Sequence, residues 1–411
     1  MKKSLVIPLV ILMISSLLLC DLKDYYKKGS ITLKGEENFG ENNDWEGLFY
    51  DPYKEMIVAP DGSIFVANNR QHNIYKFDKQ GNFLKQFGRK GQGPGDFDSP
   101  GDLTILDKKY LVVGENSLNR RITIWNMDGK CIKVVRTNKN NFYTTSLKKN
   151  RVAYLTFRQH AEKKNGYQKK TRVIIKDINS GVEKILQEIT LMDRSSISLG
   201  PGMSRSVENF IGEVYLAQTI EGNLAVGISN KPEIKIYSPE GKVIHSFDLK
   251  ISPIPVDRKY IMKYKDVLLL DLKKKGEKTM NSTRKFWHEL DMKVLPSYDF
   301  STIFDKYLPL YYELLVDTDG NFLVFRFTDC LKDCKTYIQV YSKKGEFICE
   351  TELDKGNYDF EIDKRFRNIC FTNEGIIGLF MNKGDEDEII RLVKSKYNEK
   401  KEKQNDLSFN D

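Results

Sequence analysis

The sequence predicts an all-β fold, a six-bladed β-propeller of four-stranded antiparallel blades with a small helical insertion between blades four and five. Two observations indicate this fold: short apolar strands alternate with tight glycine turns, and this strand-and-turn unit recurs at distances too short for β-α-β crossovers. A third observation concerns closure. A propeller removes its open edges by joining its first and last blades, and a spare N-terminal strand is available for this.

The most regular unit spans residues 59–105. Asp61 and Gly62 predict a tight turn between two alternating apolar runs, which is the strongest short-range signal of a hairpin. Gln80 and Gly81 predict the next turn, so four short strands follow one another in meander order and make one blade. Related units are predicted over residues 106–135, 148–191, 220–249, 317–353 and 368–394.

Two of these units are irregular. In residues 148–191, the lysine-rich segment 161–170 separates two strands and is predicted to be a loop. The last unit has only three apolar runs, so it lacks a strand. Residues 30–34 (SITLK) alternate apolar and polar side chains as a strand does, and we expect them to complete that blade. The propeller is thus predicted over residues 29–395.

An insertion at residues 252–310 replaces the strand pattern with helical spacing. Asp257 is a predicted N-cap and Gly276 a predicted C-terminal stop for a first helix, and Phe286 and Trp287 belong to a second. The insertion either caps the central channel, where propellers usually bind ligands, or is a helical packing module. The polar tail at residues 396–411 is predicted to be disordered, because it has too few apolar residues for a core.

The first repeat shows a family resemblance. VANNRQHNIYKFD at residues 66–78, followed by GNFLKQFGRKGQGPGDFDSP at residues 81–100, resembles the NHL repeat, with His72 at the position of the repeat's own histidine. The whole chain also resembles six-bladed propeller lipoproteins of Bacteroidota and related bacteria. The NHL resemblance implies a six-bladed propeller. It also implies two enzymatic relatives as alternatives, a zinc-dependent lyase and the calcium-dependent gluconolactonases.

Residues 1–20 predict export from the cytoplasm. Lys2 and Lys3 precede an apolar run that ends at Cys20, which is the pattern of a bacterial signal peptide. The segment LLLC resembles the lipobox of lipoproteins, which implies a lipid on Cys20, although Leu19 is larger than the residue usual before that cysteine. We therefore expect an exported, membrane-anchored lipoprotein that faces the periplasm or the cell exterior, and other export routes stay open.

Charge and cysteine content narrow the classes of partner. The chain has 66 Lys and Arg against 57 Asp and Glu, a formal net charge of +9, and both signs are interspersed. This indicates a solvated surface without the clustered basic residues of nucleic-acid binders, and we expect a monomer. Among six cysteines, Cys330 and Cys334 are close enough in sequence for a disulfide in a hairpin loop, or they are two free thiols.

Candidate site residues are few. Asp102, Glu115, Glu208 and Glu213 lie near the ends of inner strands, where carboxylates either line the channel or cap turns. The four histidines are not expected to converge as a catalytic zinc site needs. The sequence therefore predicts a cell-envelope scaffold that binds a peptide, glycan or protein, without a cofactor. The alternative is a metal-dependent hydrolase or lyase, which would hold calcium or zinc.

Overall fold

The computed structural model describes residues 21–37, 39–40, 55–115, 120–162, 166–193, 196–200, 203–206, 210, 212–276, 282–329, 331, 335–359, 368–382 and 390–397. A short helix and a short strand come first, α1 (Leu22–Tyr26) and β1 (Ser30–Thr32). The strands that follow form six sheets arranged as blades, with one further hairpin. The prediction of an all-β, six-bladed propeller is confirmed.

The first three blades are continuous meanders. Their strands are β2 (Met56–Val58), β3 (Ile64–Asn68), β4 (Asn73–Phe77) and β5 (Phe83–Phe87) in blade 1; β6 (Pro100–Leu106), β7 (Tyr110–Glu115), β8 (Arg121–Asn126) and β9 (Cys131–Arg136) in blade 2; and β10 (Phe142–Leu147), β11 (Arg151–Glu162), β12 (Gly166–Asp177) and β13 (Glu183–Asp193) in blade 3. A separate hairpin follows, β14 (Ser196–Gly200) with β15 (Met203–Ser206).

The other three blades contain the insertion and the seam of the ring. Their strands are β16 (Val214–Gln218), β17 (Leu224–Ile228), β18 (Glu233–Tyr237) and β19 (Val243–Asp248) in blade 4; β20 (Tyr311–Val316), β21 (Phe322–Arg326), β22 (Thr336–Tyr341) and β23 (Phe347–Asp354) in blade 5; and β24 (Tyr358–Asp359), β25 (Ile369–Thr372), β26 (Gly375–Asn382) and β27 (Ile390–Ser395) in blade 6. The insertion holds α2 (Arg258–Gly276) and α3 (Ser282–Val294).

The meander order gives the disc two distinct faces. Successive antiparallel strands reverse direction, so every inner strand begins on the face that also holds the connections between blades. We call it the insert face, because the insertion joins the outer strand β19 to the inner strand β20. The opposite face, formed by the turns after the first and third strands of the blades, is called the turn face. Consecutive inner strands from β25 through β2, β6, β10 and β16 to β20 contact one another around the ring.

The predicted turns have a common structure on the turn face. In the turn after β4, the Asp78 carboxylate accepts the backbone N–H groups of Gln80 at 2.9 Å and Asn82 at 2.8 Å. Gly81 has a φ of +85°, which a side chain rarely adopts. Asp317 makes the same bonds in blade 5, to Asp319 at 3.0 Å and Asn321 at 2.8 Å. The polar residue three positions before glycine is thus a physical signature of the blade turn.

The core consists of apolar layers between neighbouring blades. Between blades 1 and 2, Trp125 stacks on Phe97 with ring centroids 5.1 Å apart, and both pack against Phe65 and Leu111. All four side chains are buried. Burial of one such side chain contributes about 1.5–3 kcal/mol, so each layer holds two blades together.

The N-terminal strand does not lie where the sequence predicts it. β1 pairs in parallel with β23 as a fifth strand of blade 5, whereas only Gly35 forms a bridge to Ser395 of blade 6. The expectation that residues 30–34 complete the last blade is therefore wrong, although the segment does span the seam. An alternating pattern predicts a strand without specifying its partner edge. The edge is decided by α1, whose side chains pack into the core shared by blades 5 and 6.

Blade 3 also differs from its prediction. Residues 161–162 and 166–170 of the predicted loop are strand residues, because β11 and β12 pair without interruption from Arg151 opposite Asp177 to Glu162 opposite Gly166. Residues 163–165 lie outside the described residues. Each strand has 12 residues, whereas β3 and β17 have five. β10 begins only at Phe142, which pairs with Leu155, so the later part of β11 extends past the inner strand on the insert face. Polar side chains are stable there because the strands have left the core.

The helical insertion agrees with its prediction. The Asp257 carboxylate accepts the N–H of Tyr260 at 2.7 Å, and α2 ends at Gly276. The insertion has a small core of its own, centred on Phe300 and Phe304, which extends onto Phe327 of blade 5. In the described residues, the helices are too short or too polar to cross a membrane.

Candidate binding face

The inner-strand carboxylates bond to the neighbouring blade. Asp102, which is buried, accepts the Thr144 N–H of blade 3 at 2.7 Å, and Glu55 accepts the Leu103 N–H of blade 2 at 2.8 Å. Thr144 lies inside the register shift of β10, between Phe142 and Thr145, and Leu103 lies at the edge of the register shift of β6. Asp102 therefore satisfies a buried N–H between two blades and is not presented as a free metal ligand.

Glu115 lies in a buried polar cluster with Arg121. The Arg121 Nε donates to Glu115 Oε1, while Oε2 of the same carboxylate accepts the Asp98 N–H at 3.0 Å. The Arg121 guanidinium also donates to the carbonyls of Gln92 at 2.7 Å and Asp96 at 2.7 Å. The glycine-rich run predicted as an NHL loop thus folds around one arginine. Sequence reasoning missed this role for Arg121, although its position after β7 in a second repeat was a signal.

Of the two remaining acidic candidates, only Glu213 is among the described residues. The Glu213 backbone N–H donates to Ser229 Oγ at 2.8 Å, which fixes the start of β16, while Glu208 lies outside the described residues. No group of three or more His, Cys, Asp or Glu side chains suited to a metal ion occurs in the described part of the chain.

The cysteine predictions fall mostly outside the described ranges. Cys20, Cys330 and Cys334 are among the residues whose structure is not described, so lipidation and the disulfide stay predictions. Cys131 is a free thiol whose pKa is raised by burial. Cys349 is also free, and burial raises its pKa in the same way.

Two of the histidines, His72 and His245, lie in separate parts of the fold. His72, in the turn before β4, has a φ of 56°, and its Nδ1 lies 2.5 Å from the Asp98 carbonyl on the insert face. His245, on the outer strand β19, has Nε2 2.8 Å from the Lys344 carbonyl in a turn of blade 5. Their contacts belong to different blades and opposite faces.

Arg89 and Lys90, in the loop between blades 1 and 2, are both exposed. The Arg89 side chain is 85% exposed and pairs with Asp96 at 2.9 Å. Its hydrogen bond is the main cause of the lowered pKa of Asp96. An exposed pair of this kind contributes little to stability. Arg89 therefore stays available at the surface beside the loop that Arg121 organises.

A second basic region was not anticipated, and it forms a small cleft on blade 3. We call it the blade-3 cleft, and its lining residues are Lys139, Thr156, Phe157, Arg158, Lys170, Arg172 and Glu188. Most of them lie on the parts of β11, β12 and β13 that extend beyond β10, and Lys139 belongs to the connection from blade 2. The sequence signal that could have indicated this cleft is Arg158 in one strand and the alternating cations Lys170 and Arg172 in the next.

The insertion adds an apolar surface to the same face. On α2, Met262 is 49% exposed, Val267 48% and Leu270 54%. Large apolar side chains are exposed singly on most proteins, and α2 carries three of them. The insert face thus offers a basic cleft and an apolar helix surface.

Comparison with protein families supports the fold over part of the chain. The model of the DUF5128 family, a 6-bladed beta-propeller, matches residues 53–220. This stretch contains blades 1 to 3 and β16. A curated relative, Protein brain tumor of Drosophila melanogaster, is 31% identical over 96 residues, which is 23% of this chain. The chain spans 9% of the length of that relative.

Solved structures with a similar course of the chain include two from Bacteroides. BF0058 of Bacteroides fragilis, described as a candidate exported protein, is 12% identical, with 90% of this chain and 95% of that chain covered and a TM-score of 0.44. A DUF4221 member of Bacteroides vulgatus is 12% identical, with 90% and 98% covered and a TM-score of 0.47. Virginiamycin B lyase from Staphylococcus aureus is 12% identical, with 89% and 94% covered and a TM-score of 0.38. The fold assignment rests on the strand topology above.

Proposed function

We propose that this protein is an exported cell-envelope binding protein, which holds a peptide, glycan or protein ligand on the insert face of its propeller. One observation carries the proposal: the enlarged elements all belong to that face, namely the extended strands of blade 3 and the helical insertion. The described turn face carries short turns, such as those at Asp78 and Asp317, and the small helix α1. Rigid scaffolds usually present ligand-binding elements on their connecting segments, and this asymmetry fits that arrangement.

Lysine footprinting can test the proposal, because exposed lysines occur on both faces. The purified full chain in detergent is labelled with an amine reagent, with and without a detergent extract of the cell envelope. We expect the extract to slow labelling of Lys259 and Lys274 on α2, and to leave the turn-face residues Lys79, Lys108 and Lys343 unchanged. Equal labelling of both faces, or protection of the turn face alone, would contradict the proposed binding face.

We further propose that the mature chain is a lipoprotein acylated at Cys20. The support is the apolar run that ends in LLLC at the position where lipobox cysteines occur. Cells that express the full chain are given labelled palmitate. Label is expected on the parent chain and on the matched control Cys131→Ser, and none on Cys20→Ser. Label that persists in Cys20→Ser would rule out this anchor.

The propeller is further proposed to be of the NHL-repeat type. The support is that the motif residues are structurally coupled: the carbonyl of Asp98, whose N–H binds Glu115, lies 2.5 Å from Nδ1 of His72. The test replaces residues 88–98 with the corresponding loop of an NHL-repeat protein. We expect the thermal midpoint to be retained, whereas a graft that fails to fold, when a loop-internal Lys90→Ala control folds, argues against the assignment.

A further inference from the structure

The blade-3 cleft has an unusual arrangement of charge on its sheet surface. Arg158 lies directly opposite Lys170, and Arg172 lies directly opposite Glu188. Directly opposite residues of an antiparallel pair share one face, with Cβ atoms about 4.5–5.5 Å apart. Two cations in that relationship destabilise a sheet, so the pair of Arg158 and Lys170 is not explained by folding.

The single carboxylate in the cleft does not balance these cations. Glu188 accepts a hydrogen bond from Arg172 Nε at 2.5 Å, and it lies 4.0 Å from Lys170 Nζ. The hydrogen bond from Arg172 is the main cause of the lowered pKa of Glu188, and the charges of Lys170 and Lys139 act in the same direction. Four cations with one carboxylate leave three positive charges in the cleft.

Within the described chain, two of the four cations have no hydrogen-bond or ion-pair partner. The side chains of Lys139 and Arg158 make no hydrogen bond or ion pair with the rest of the described chain. Lys139 comes from the connection before β10 and Arg158 from β11, so they belong to separate segments of the cleft wall. Thr156, which is 2% exposed, adds a hydroxyl beside them. Donors from three elements therefore surround one space.

We propose that the blade-3 cleft binds a phosphate monoester. Such a group carries about −1.5 to −2 charge at pH 7 and three strong acceptor oxygens, so it matches the surplus charge better than a single carboxylate does. The planar guanidinium forks of Arg158 and Arg172 suit two phosphate oxygens, and Lys139 supplies a point charge. The cleft is small, so it suits one phosphate group and the part of the ligand directly attached to it.

This inference rests on the proposed function in placing the ligand on the insert face. The full chain in detergent is titrated calorimetrically with glucose 6-phosphate, inorganic phosphate, glucose and succinate. We expect the two phosphates to bind, and glucose and succinate to bind at least about tenfold more weakly. The phosphate monoester could belong to a free sugar phosphate or to the end of a glycan polymer, and a maltoheptaose with one phosphate monoester distinguishes the two. Tighter binding than that of glucose 6-phosphate indicates a polymer end, and equal binding indicates a free sugar phosphate.

Variants separate ligand binding from folding. Arg158→Gln and Lys139→Gln should each weaken glucose 6-phosphate binding about tenfold or more, because each removes a charge-assisted hydrogen bond. Arg158→Gln should also raise the thermal midpoint of the unliganded chain, since it removes the repulsion from Lys170. The matched controls Lys108→Gln and Lys343→Gln remove the same charge on the turn face and should bind like the parent.

Two results would overturn the inference. One is a parent chain that binds neither phosphate, and the other is succinate binding as tight as that of glucose 6-phosphate. Both are distinguishable from failure of the proposed function, because protection of Lys259 and Lys274 in the envelope footprint is measured without any phosphate probe. A negative titration with a positive footprint thus rejects the phosphate site alone.

Discussion

The guanidinium of Arg121 and the carboxylate of Glu115 form a buried ion pair on the insert face of blade 2. Each partner also bonds to the loop between blades 1 and 2, Arg121 through carbonyl oxygens and Glu115 through the N–H of Asp98. The pair therefore holds the long loop in place at the junction between blades 1 and 2.

Arg121→Met should destabilise the chain by about 3–5 kcal/mol, because it leaves the Glu115 charge buried without compensation. The double variant Arg121→Met with Glu115→Gln should recover much of that loss, since no buried charge is left. Urea unfolding followed by far-ultraviolet circular dichroism measures both values. Equal loss in the single and double variants would show that the carbonyl contacts, not the charge pair, dominate.

The second prediction tests whether the Asp102 carboxylate stabilises the contact between blades 2 and 3. Asp102→Ala should lower the free energy of unfolding by about 1–3 kcal/mol, because the Thr144 N–H loses its acceptor. Asp102→Asn keeps an acceptor oxygen and should cost less. Denaturant titration of the two variants checks the order. If both variants were as stable as the parent, the bond between blades would be energetically unimportant.

The free energy of unfolding should depend on pH through Asp317, which lies where α1 packs against blades 5 and 6. Burial raises its pKa from 3.8 to about 6, against hydrogen bonds from Asn321 and Tyr26 that lower it. Between these two pH values the folded chain binds more protons than the unfolded chain, so this group's contribution is fully present below pH 3.8 and is lost as the pH rises through about 6. The contribution is on the order of 2–3 kcal/mol.

Asp317→Asn should remove this pH dependence. The amide oxygen can still accept the N–H groups of Asp319 and Asn321, and the side chain no longer titrates. The difference in unfolding free energy between parent and variant, measured in urea at pH 4 and pH 7, isolates the group from other titrations. An unchanged difference across this range would show that Asp317 has an ordinary pKa.

The N-terminal helix should contribute to global stability. Leu22 is fully buried in the core shared by blades 5 and 6, so Leu22→Ala should cost about 2–5 kcal/mol. The matched control Asp24→Ala changes an exposed residue of the same helix and should have a small effect. Thermal unfolding of both variants measures the contrast. A loss no larger than that of the control would mean that α1 does not pack as described.

Local turn chemistry and helix capping could be predicted from the sequence, because they depend on residues near each other in the chain. Asp257 and Gly276 bound α2 as expected, and Gly81 lies in the predicted turn. The partner edge of β1 could not be predicted, since it depends on the distant core that α1 enters. The same limit applies to Asp102, whose Thr144 partner is 42 residues away.

The blade-3 cleft shows what a period-two pattern can conceal. Arg158 and Lys170 occur in a lysine-rich segment that reads as a polar loop, because neither face of the strands there is apolar. Only the register of β11 with β12 brings these cations opposite each other. The charged residues of this segment indicate a binding site only when the pairing of β11 with β12 is known.

The position of α1 fixes how the disc is oriented relative to any tether. The backbone N–H of Leu22 donates to Asp319 at 3.0 Å, and the Tyr26 hydroxyl donates to Asp317 at 3.0 Å, both in a turn on the turn face. Asp21 caps this helix and is the residue after Cys20. If Cys20 is acylated as proposed, only Asp21 separates the lipid from α1. The turn face would then lie near the bilayer, and the insertion and the blade-3 cleft would face away from it.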